Sequence, residues 1–95
     1  MAPSITVSDN PDETRYDVFV DGDLAGFAVY RDEPRRRVFT HTEVDDRYEG
    51  HGVGGQLARA ALDDVRRRGL GVVPQCPFIR GYIERHPEYA DLVVD

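Results

Sequence analysis

The sequence predicts an α+β fold: a mixed, mostly antiparallel sheet, a crossover helix and a C-terminal helix, in a single domain over residues 1–95. Three observations carry this. Strand-like alternation dominates up to Val44. An apolar stripe at helical spacing begins at Val53. A short apolar run and a proline-led segment then close the chain. At 95 residues one core and few elements are expected.

Each element follows in order. Ser4–Ser8 alternates weakly and reads as an edge strand, and Asn10-Pro11-Asp12 is turn chemistry. In "RYDVFV" Tyr16, Val18 and Val20 share one face of a strand. Asp21-Gly22-Asp23 marks a hairpin turn, and Leu24–Arg31 is the returning strand. Arg31–Arg37, "RDEPRRR", reads as a polar loop. Val38–Val44 is rich in β-branched and aromatic residues and forms the next strand. The helix then runs from Gly54 to Arg68, with Val53, Leu57, Ala61 and Val65 on its buried stripe. Gly69 stops it. Leu70–Cys76 is a short buried strand, and a crossover helix between it and Val38–Val44 makes those two strands parallel. Pro77 opens a last helix, Pro77–His86.

The net charge is −6, and every cation is arginine. An acidic chain is a poor general partner for nucleic acid, where phosphate neutralisation supplies most of the affinity. The arginine runs 35–37 and 66–68 are diluted by acids and read as solvated faces. No apolar run is long enough to span a bilayer. The first residues lack a basic region followed by an apolar one, so the reading is cytoplasmic. One cysteine excludes an internal disulfide, and three scattered histidines show no metal-ligand spacing.

The informative stretch is "EGHGVGGQL", Glu49–Leu57, with four glycines in nine residues at a strand-to-helix junction. The first N–H groups of a helix lack partners within it, and the helix dipole makes that end positive. A loop without Cβ atoms lets an anion reach those groups, so the run reads as a phosphate or pyrophosphate cradle. A tight turn would need one such glycine. The spacing fits neither G-x-x-x-x-G-K-[ST] nor G-x-G-x-x-G.

"TEVDDRYEGHGVGGQLARAAL" resembles the coenzyme A signature of the GNAT N-acetyltransferases: a strand ending in valine, then Q/R-x-x-G-x-G/A opening a helix. Val44 matches the strand valine, and Gly52 and Gly54 match the motif glycines. "GLGVVPQCPFIRGYIERHPEYADLV" is similar to a small, single-domain branch of that superfamily. The chain departs from the pattern at Glu49, where the family usually has arginine or glutamine. A carboxylate beside a pyrophosphate is unfavourable by Coulomb's law, so the departure should weaken binding.

The resemblance implies a GNAT-like sheet lacking the usual two N-terminal helices. It implies acetyl-coenzyme A as acyl donor, with no metal. The strands flanking the crossover helix would splay apart to admit the cofactor. Glu43 and Val44 would hold the pantetheine arm through their backbone, and His51, Gly52, Val53, Gly54, Gly55 and Gln56 would present N–H groups to the pyrophosphate. Strand alternation puts Phe39, His41 and Glu43 on one face. His41 carries an imidazole, the side-chain type best suited to a general base for an amine. The alternative is a surface histidine or a packing partner of Phe39. Cys76 precedes a helix N-terminus and could act as nucleophile or proton donor, or simply pack as a small hydrophobe. Tyr82 aligns roughly with the tyrosine that protonates the departing thiolate in larger members, with Tyr89 as the alternative. The missing helices would leave the acceptor groove open or completed by a partner. That suits a peptide or protein amine, or a homodimer. The reading is an N-acetyltransferase working by direct attack in a ternary complex. The alternatives are a non-catalytic acyl-coenzyme A binding module, or a protein acylated on Cys76.

Overall fold

The structure is a computed structural model that describes residues 3–48 and 50–94. Five strands form one sheet in the order β1-β2-β3-β4-β5. They are β1 (Ile5–Asn10), β2 (Arg15–Val20), β3 (Asp23–Glu33), β4 (Arg36–Val44) and β5 (Gly71–Pro74). The first four are antiparallel neighbours, and β5 runs parallel to β4. The crossover helix α1 is Val53–Arg67 and α2 is Pro77–Arg85. Short 3-10 turns occupy Asp46–Tyr48 and Pro87–Leu92. The mixed, mostly antiparallel α+β architecture is the one the sequence predicts. No helix among the described residues is long and apolar enough to cross a membrane.

The alternation in β2 becomes packing. Tyr16, Val18 and Val20 are buried, and α1 lays Val53, Leu57, Ala58, Ala61, Leu62 and Val65 over them. Fully burying one such side chain contributes about 1.5–3 kcal/mol. The helix ends where Gly69 takes φ 71°. The N–H of Gly69 donates to the Arg66 carbonyl and that of Leu70 to the Val65 carbonyl, closing the last turn. The α2 contacts fall in the same core, with Ile79, Tyr82 and Ile83 buried.

The "RDEPRRR" segment is a correction. It is the end of a long β3–β4 hairpin, whose ladder continues to Glu33↔Arg36 and turns at Pro34 and Arg35. Arg37 does not lie on a solvated face; it is 5% exposed. Its guanidinium donates to Asp32 at 2.7 and 3.0 Å and to the Tyr16 hydroxyl at 2.7 Å. It also lies 3.9 Å from the Tyr30 ring centroid. Tyr16 in turn donates to Asp64, and Tyr30 to Asp9. Sequence periodicity cannot signal this, because a buried arginine is stable only with partners from distant elements. Arg66 and Arg68 are more exposed, and both form ion pairs with acids.

Two irregularities shape the end of the sheet that matters for function. Val29 pairs with His41 but Tyr30 pairs with Phe39, which leaves Thr40 as an extra residue in β4. A bulge of this kind resets which face the later side chains occupy. Secondly, β5 pairs with β4 only over Arg36–Phe39. The Cys76 N–H donates to the Phe39 carbonyl, and the chain then turns into α2. The β4 segment Thr40–Val44 continues without β5 beside it. The two parallel strands therefore part halfway along β4, at one edge of the sheet.

Candidate active site

A cavity of about 630 Å³ opens where the strands part. Thr42 and Val44 of β4 line one side, the glycine loop and first turns of α1 another, and Phe78, Tyr82 and His86 the third. The glycines serve separable purposes. Gly50 and Gly52 have φ 82° and 76°, a left-handed backbone that side chains disfavour. Gly52 is also the residue on which α1 begins. A Cβ at Gly54 would stand 2.8 Å from the Phe78 ring, so this glycine lets α2 approach α1. Gly55 would make only ordinary contact with Tyr82, at 4.0 Å.

The helix-start N–H groups of Val53, Gly54 and Gly55 have no acceptor in a preceding helical turn. The expected cradle is narrower than His51–Gln56. His51 donates its N–H to the Tyr48 carbonyl at 3.3 Å, and Gln56 donates to the Gly52 carbonyl at 3.0 Å. Both N–H groups are already used by the turn and the helix. Glu49, the departure from the family pattern, lies outside the described residues.

The bulge overturns one expectation. Phe39, His41 and Glu43 do not share a face. Phe39 is buried against Tyr16 and Tyr30, whereas the His41 and Glu43 side chains are 59% and 61% exposed. Strict alternation fails at Thr40, so Thr42 and Val44 line the cavity while His41 and Glu43 look out from the opposite face of the sheet. There His41 Nε2 lies 3.2 Å from Glu43 Oε2. That solvent face also carries Arg15 stacked on Phe27 at 4.6 Å. The strands β1 and β2 are joined only by the turn Pro11–Thr14, with no helices between them.

Cys76 directly precedes α2, as expected, with Pro77 as the helix's first residue. Its side chain is buried, and Sγ lies 3.2 Å from the Thr42 hydroxyl oxygen. Thr42 thus separates the thiol from the cavity that it lines. Tyr82 stacks on the His86 ring with centroids 3.9 Å apart and planes 15° from parallel. Burial raises the Tyr82 phenol above its ordinary range, while Arg59 and Arg85 pull the other way. Tyr89 is committed elsewhere, donating to Asp63 at 2.7 Å. Burial and that bond push its phenol up to about 12.

A profile of the GCN5-related N-acetyl-transferase family matches residues 15–92. The chain belongs to that family. Among GNAT relatives of known structure, a GCN5-like protein from Staphylococcus aureus superposes with a TM-score of 0.72 at 22% identity, covering 94% of this chain and 87% of the other. Nourseothricin acetyltransferase superposes at 0.53 with 23% identity, covering 94% and 68%. At that identity these likenesses establish the shared fold. Protein NATD1 of Gallus gallus and of Mus musculus is 43% identical over 47 residues. The matched segment is 50% of this chain and 43% of either relative.

Within this GNAT chain the structure gathers Val44, Gly52, Val53, Gly54, Gly55, Gln56 and Tyr82 around one cavity. His41 and Glu43 fall on the other side of the sheet, and Cys76 sits behind Thr42. Sequence reasoning missed Thr42, Arg59, Phe78, Arg85 and His86, all of which line the cavity. A signal existed for two of them, Arg85 and His86. Tyr82, Arg85 and His86 stand at i, i+3 and i+4, and so share one helix face. His86 is more than a helix end. The Tyr82 carbonyl 2.9 Å from Nδ1 can only accept, so Nδ1 carries the proton and neutral His86 keeps Nε2 as an acceptor.

Proposed function

We propose that this GNAT protein transfers the acetyl group of acetyl-coenzyme A to an amine, by direct attack in a ternary complex. The observation that carries the reading is the single cavity that joins the parted strands to the glycine-started helix. In this reading the pyrophosphate accepts from the N–H groups of Gly52–Gly55. The pantetheine arm runs along the β4 edge at Glu43 and Val44, and the thioester reaches the level of Thr42 and Cys76. The amine approaches from the solvent face, through the gap beyond Phe39.

The residues then divide the proton work. The amine nitrogen attacks the thioester carbonyl carbon, and His41 takes the proton that the nitrogen gives up. Glu43, 3.2 Å from Nε2, orients the imidazole. When the C–S bond breaks, Tyr82 supplies a proton to the departing thiolate, an assignment favoured by a phenol held protonated. Cys76 packs behind Thr42 and shapes the thioester end. An acceptor site open to solvent suits an amine on a peptide or protein, and leaves room for a second copy of the chain to complete the groove. A second reading, an acyl-coenzyme A binding module, is favoured by one observation: His41 and Tyr82 stand on opposite faces of the sheet. The deciding experiment follows free thiol release from acetyl-coenzyme A in the presence of a peptide amine library, with intact-mass detection of acetylated peptide. Tight binding without release over background would reject the transferase reading.

A further inference from the structure

A second concavity lies apart from the cofactor cavity. It measures about 260 Å³ and sits where the start of β3 meets the end of β4. Leu24 and Phe27 line it with apolar surface, and Glu43 and Asp45 with carboxylates. Strand register places its Phe27 and Glu43 walls on the solvent side of the sheet. Phe27 is the cross-strand neighbour of Glu43, and Val29 is that of His41. Directly opposed residues share a face, so Phe27, Glu43 and His41 all look outward. Among the described residues no large hydrophobic is more exposed than Leu24, at 45%. The charges around this concavity are unevenly settled. Arg15 and Asp17 neutralise each other at 2.7 Å, and Asn10 also donates to Asp17. Asp45 is taken by Arg47, whose backbone N–H and guanidinium donate to it at 2.9 and 3.1 Å. Glu43 is different. Its one partner among the described residues is His41, which meets Oε2. Oε1 is left to accept from something else.

We infer that this concavity is an acceptor subsite, taking a cationic side chain of a peptide whose lysine is acetylated beside His41. The inference rests on the amine-acetylation reading and adds which amine is chosen. The complementarity has two parts. A long cationic side chain has an apolar stem for Leu24 and Phe27, and a charged head for Glu43. The Phe27 ring already receives one guanidinium from within the chain, that of Arg15. Spacing sets the position of the recognised charge. His41 and Glu43 are two residues apart, about 7 Å along a strand. An extended peptide also repeats its side-chain direction every two residues. A peptide lying along the outer face of β4 with its lysine at His41 therefore sets the residue two positions away over the concavity. The general acidity of the chain attracts basic peptides without regard to position, whereas the concavity reads a charge at one position.

The test measures kcat/KM of the full chain with acetyl-coenzyme A and N-terminally blocked peptides that carry a single lysine in an uncharged frame. One peptide has no other charge, one has arginine two residues before the lysine, and one has arginine two residues after it. Wild type should favour one arginine placement about tenfold over the uncharged peptide, chiefly through KM, and leave the other within about twofold. The preference should fade in about 1 M salt, where screening shortens to about 3 Å. Glu43→Gln slows every peptide through His41, so its readout is the ratio between peptides, which should fall to about one. Leu24→Arg fills the concavity with a cation of the chain itself and should erase the preference without changing His41 or Glu43. Glu84→Gln, which removes an equal charge from the exposed side of α2, should keep it. Equal rates for all three peptides would overturn the subsite and leave the acetyltransferase reading standing. So would equal gains from both arginine placements, which mark attraction to an acidic chain. A preference that survives in Glu43→Gln or Leu24→Arg, or one lost in Glu84→Gln, would overturn it too. Acetylation of none of the peptides would instead overturn the reading of a peptide-amine transferase, and the subsite with it.

Discussion

Replacing Gly52 with valine separates two roles that one residue combines. Gly52 has φ 76°, and a Cβ built on it meets nothing within 4 Å. The fold therefore suffers backbone strain and no collision. A non-glycine residue held in this region costs about 1–3 kcal/mol. In a domain of this size a loss of about 2 kcal/mol lowers the melting temperature by roughly 8–16 °C. Gly22, in the β2–β3 turn, supplies a matched control. Its φ is 87°, and a Cβ there also meets nothing within 4 Å. Gly22→Val and Gly52→Val should thus lose similar stability. Only Gly52 lines the cavity, so only Gly52→Val places methyl groups where the pyrophosphate should lie. Hydrogen bonds to a charged group are worth about 1.5–3 kcal/mol each. Losing one or two of them would weaken acetyl-coenzyme A binding by about 100-fold. Calorimetry well below both melting transitions measures the affinity, and thermal denaturation measures the strain. A Gly52→Val protein that binds within twofold of wild type would refute the cradle. Equal affinity losses in both variants would refute the assignment of the effect to the site.

Other outcomes follow from the same geometry. His41→Ala should leave stability within about 0.5 kcal/mol, because the side chain is exposed. It should lower amine acetylation by about 10²–10⁴-fold if His41 is the base; steady-state rates that stay within threefold would remove it from the mechanism. Cys76→Ala should show no acetyl adduct before or after substitution and lose about 1 kcal/mol of stability. An acetyl-Cys76 species that passes its acetyl group to an amine, seen by intact mass, would defeat direct transfer. Burial and a hydrogen bond hold the Tyr30 phenol at about 12, and the same two causes, with Asp63 as partner, hold Tyr89 there. A raised phenol favours the protonated fold, so this stabilisation is complete below pH 10 and disappears as pH rises from 10 to 12. Denaturant midpoints should fall across that window, and less steeply in Tyr30→Phe, Tyr89→Phe; an unchanged slope would argue against the assignment.

The parts of this molecule that were legible in the sequence are those written as local periodicity. The α1 stripe from Val53 to Val65 and the Tyr16-Val18-Val20 alternation both became core. Gly69 and Pro77 punctuated the chain where the structure does. The glycine run located the cavity before its walls were known. What escaped depends on pairing between distant residues. Arg37 looks like any surface arginine until Tyr16, Asp32 and Tyr30 surround it. The bulge at Thr40 has no sequence mark, since β-branched residues fill both regular and bulged strands. It arises from the register between β3 and β4, and it moved His41 and Glu43 to the opposite face.

That extra residue gives β4 two different odd–even rules. Before Thr40, odd-numbered side chains such as Arg37 and Phe39 point inward to the packed interior. After it, even-numbered Thr42 and Val44 face the cavity, and odd-numbered His41 and Glu43 face solvent. One strand thus carries two independent addresses past its midpoint. Alterations at 41 and 43 can tune what approaches from outside, while alterations at 42 and 44 tune what is held within. The exposed pair stands clear of the first half of the strand, where Arg37 and Phe39 are buried. A chain this short therefore has, at His41 and Glu43, a place where recognition can diversify without renegotiating its core.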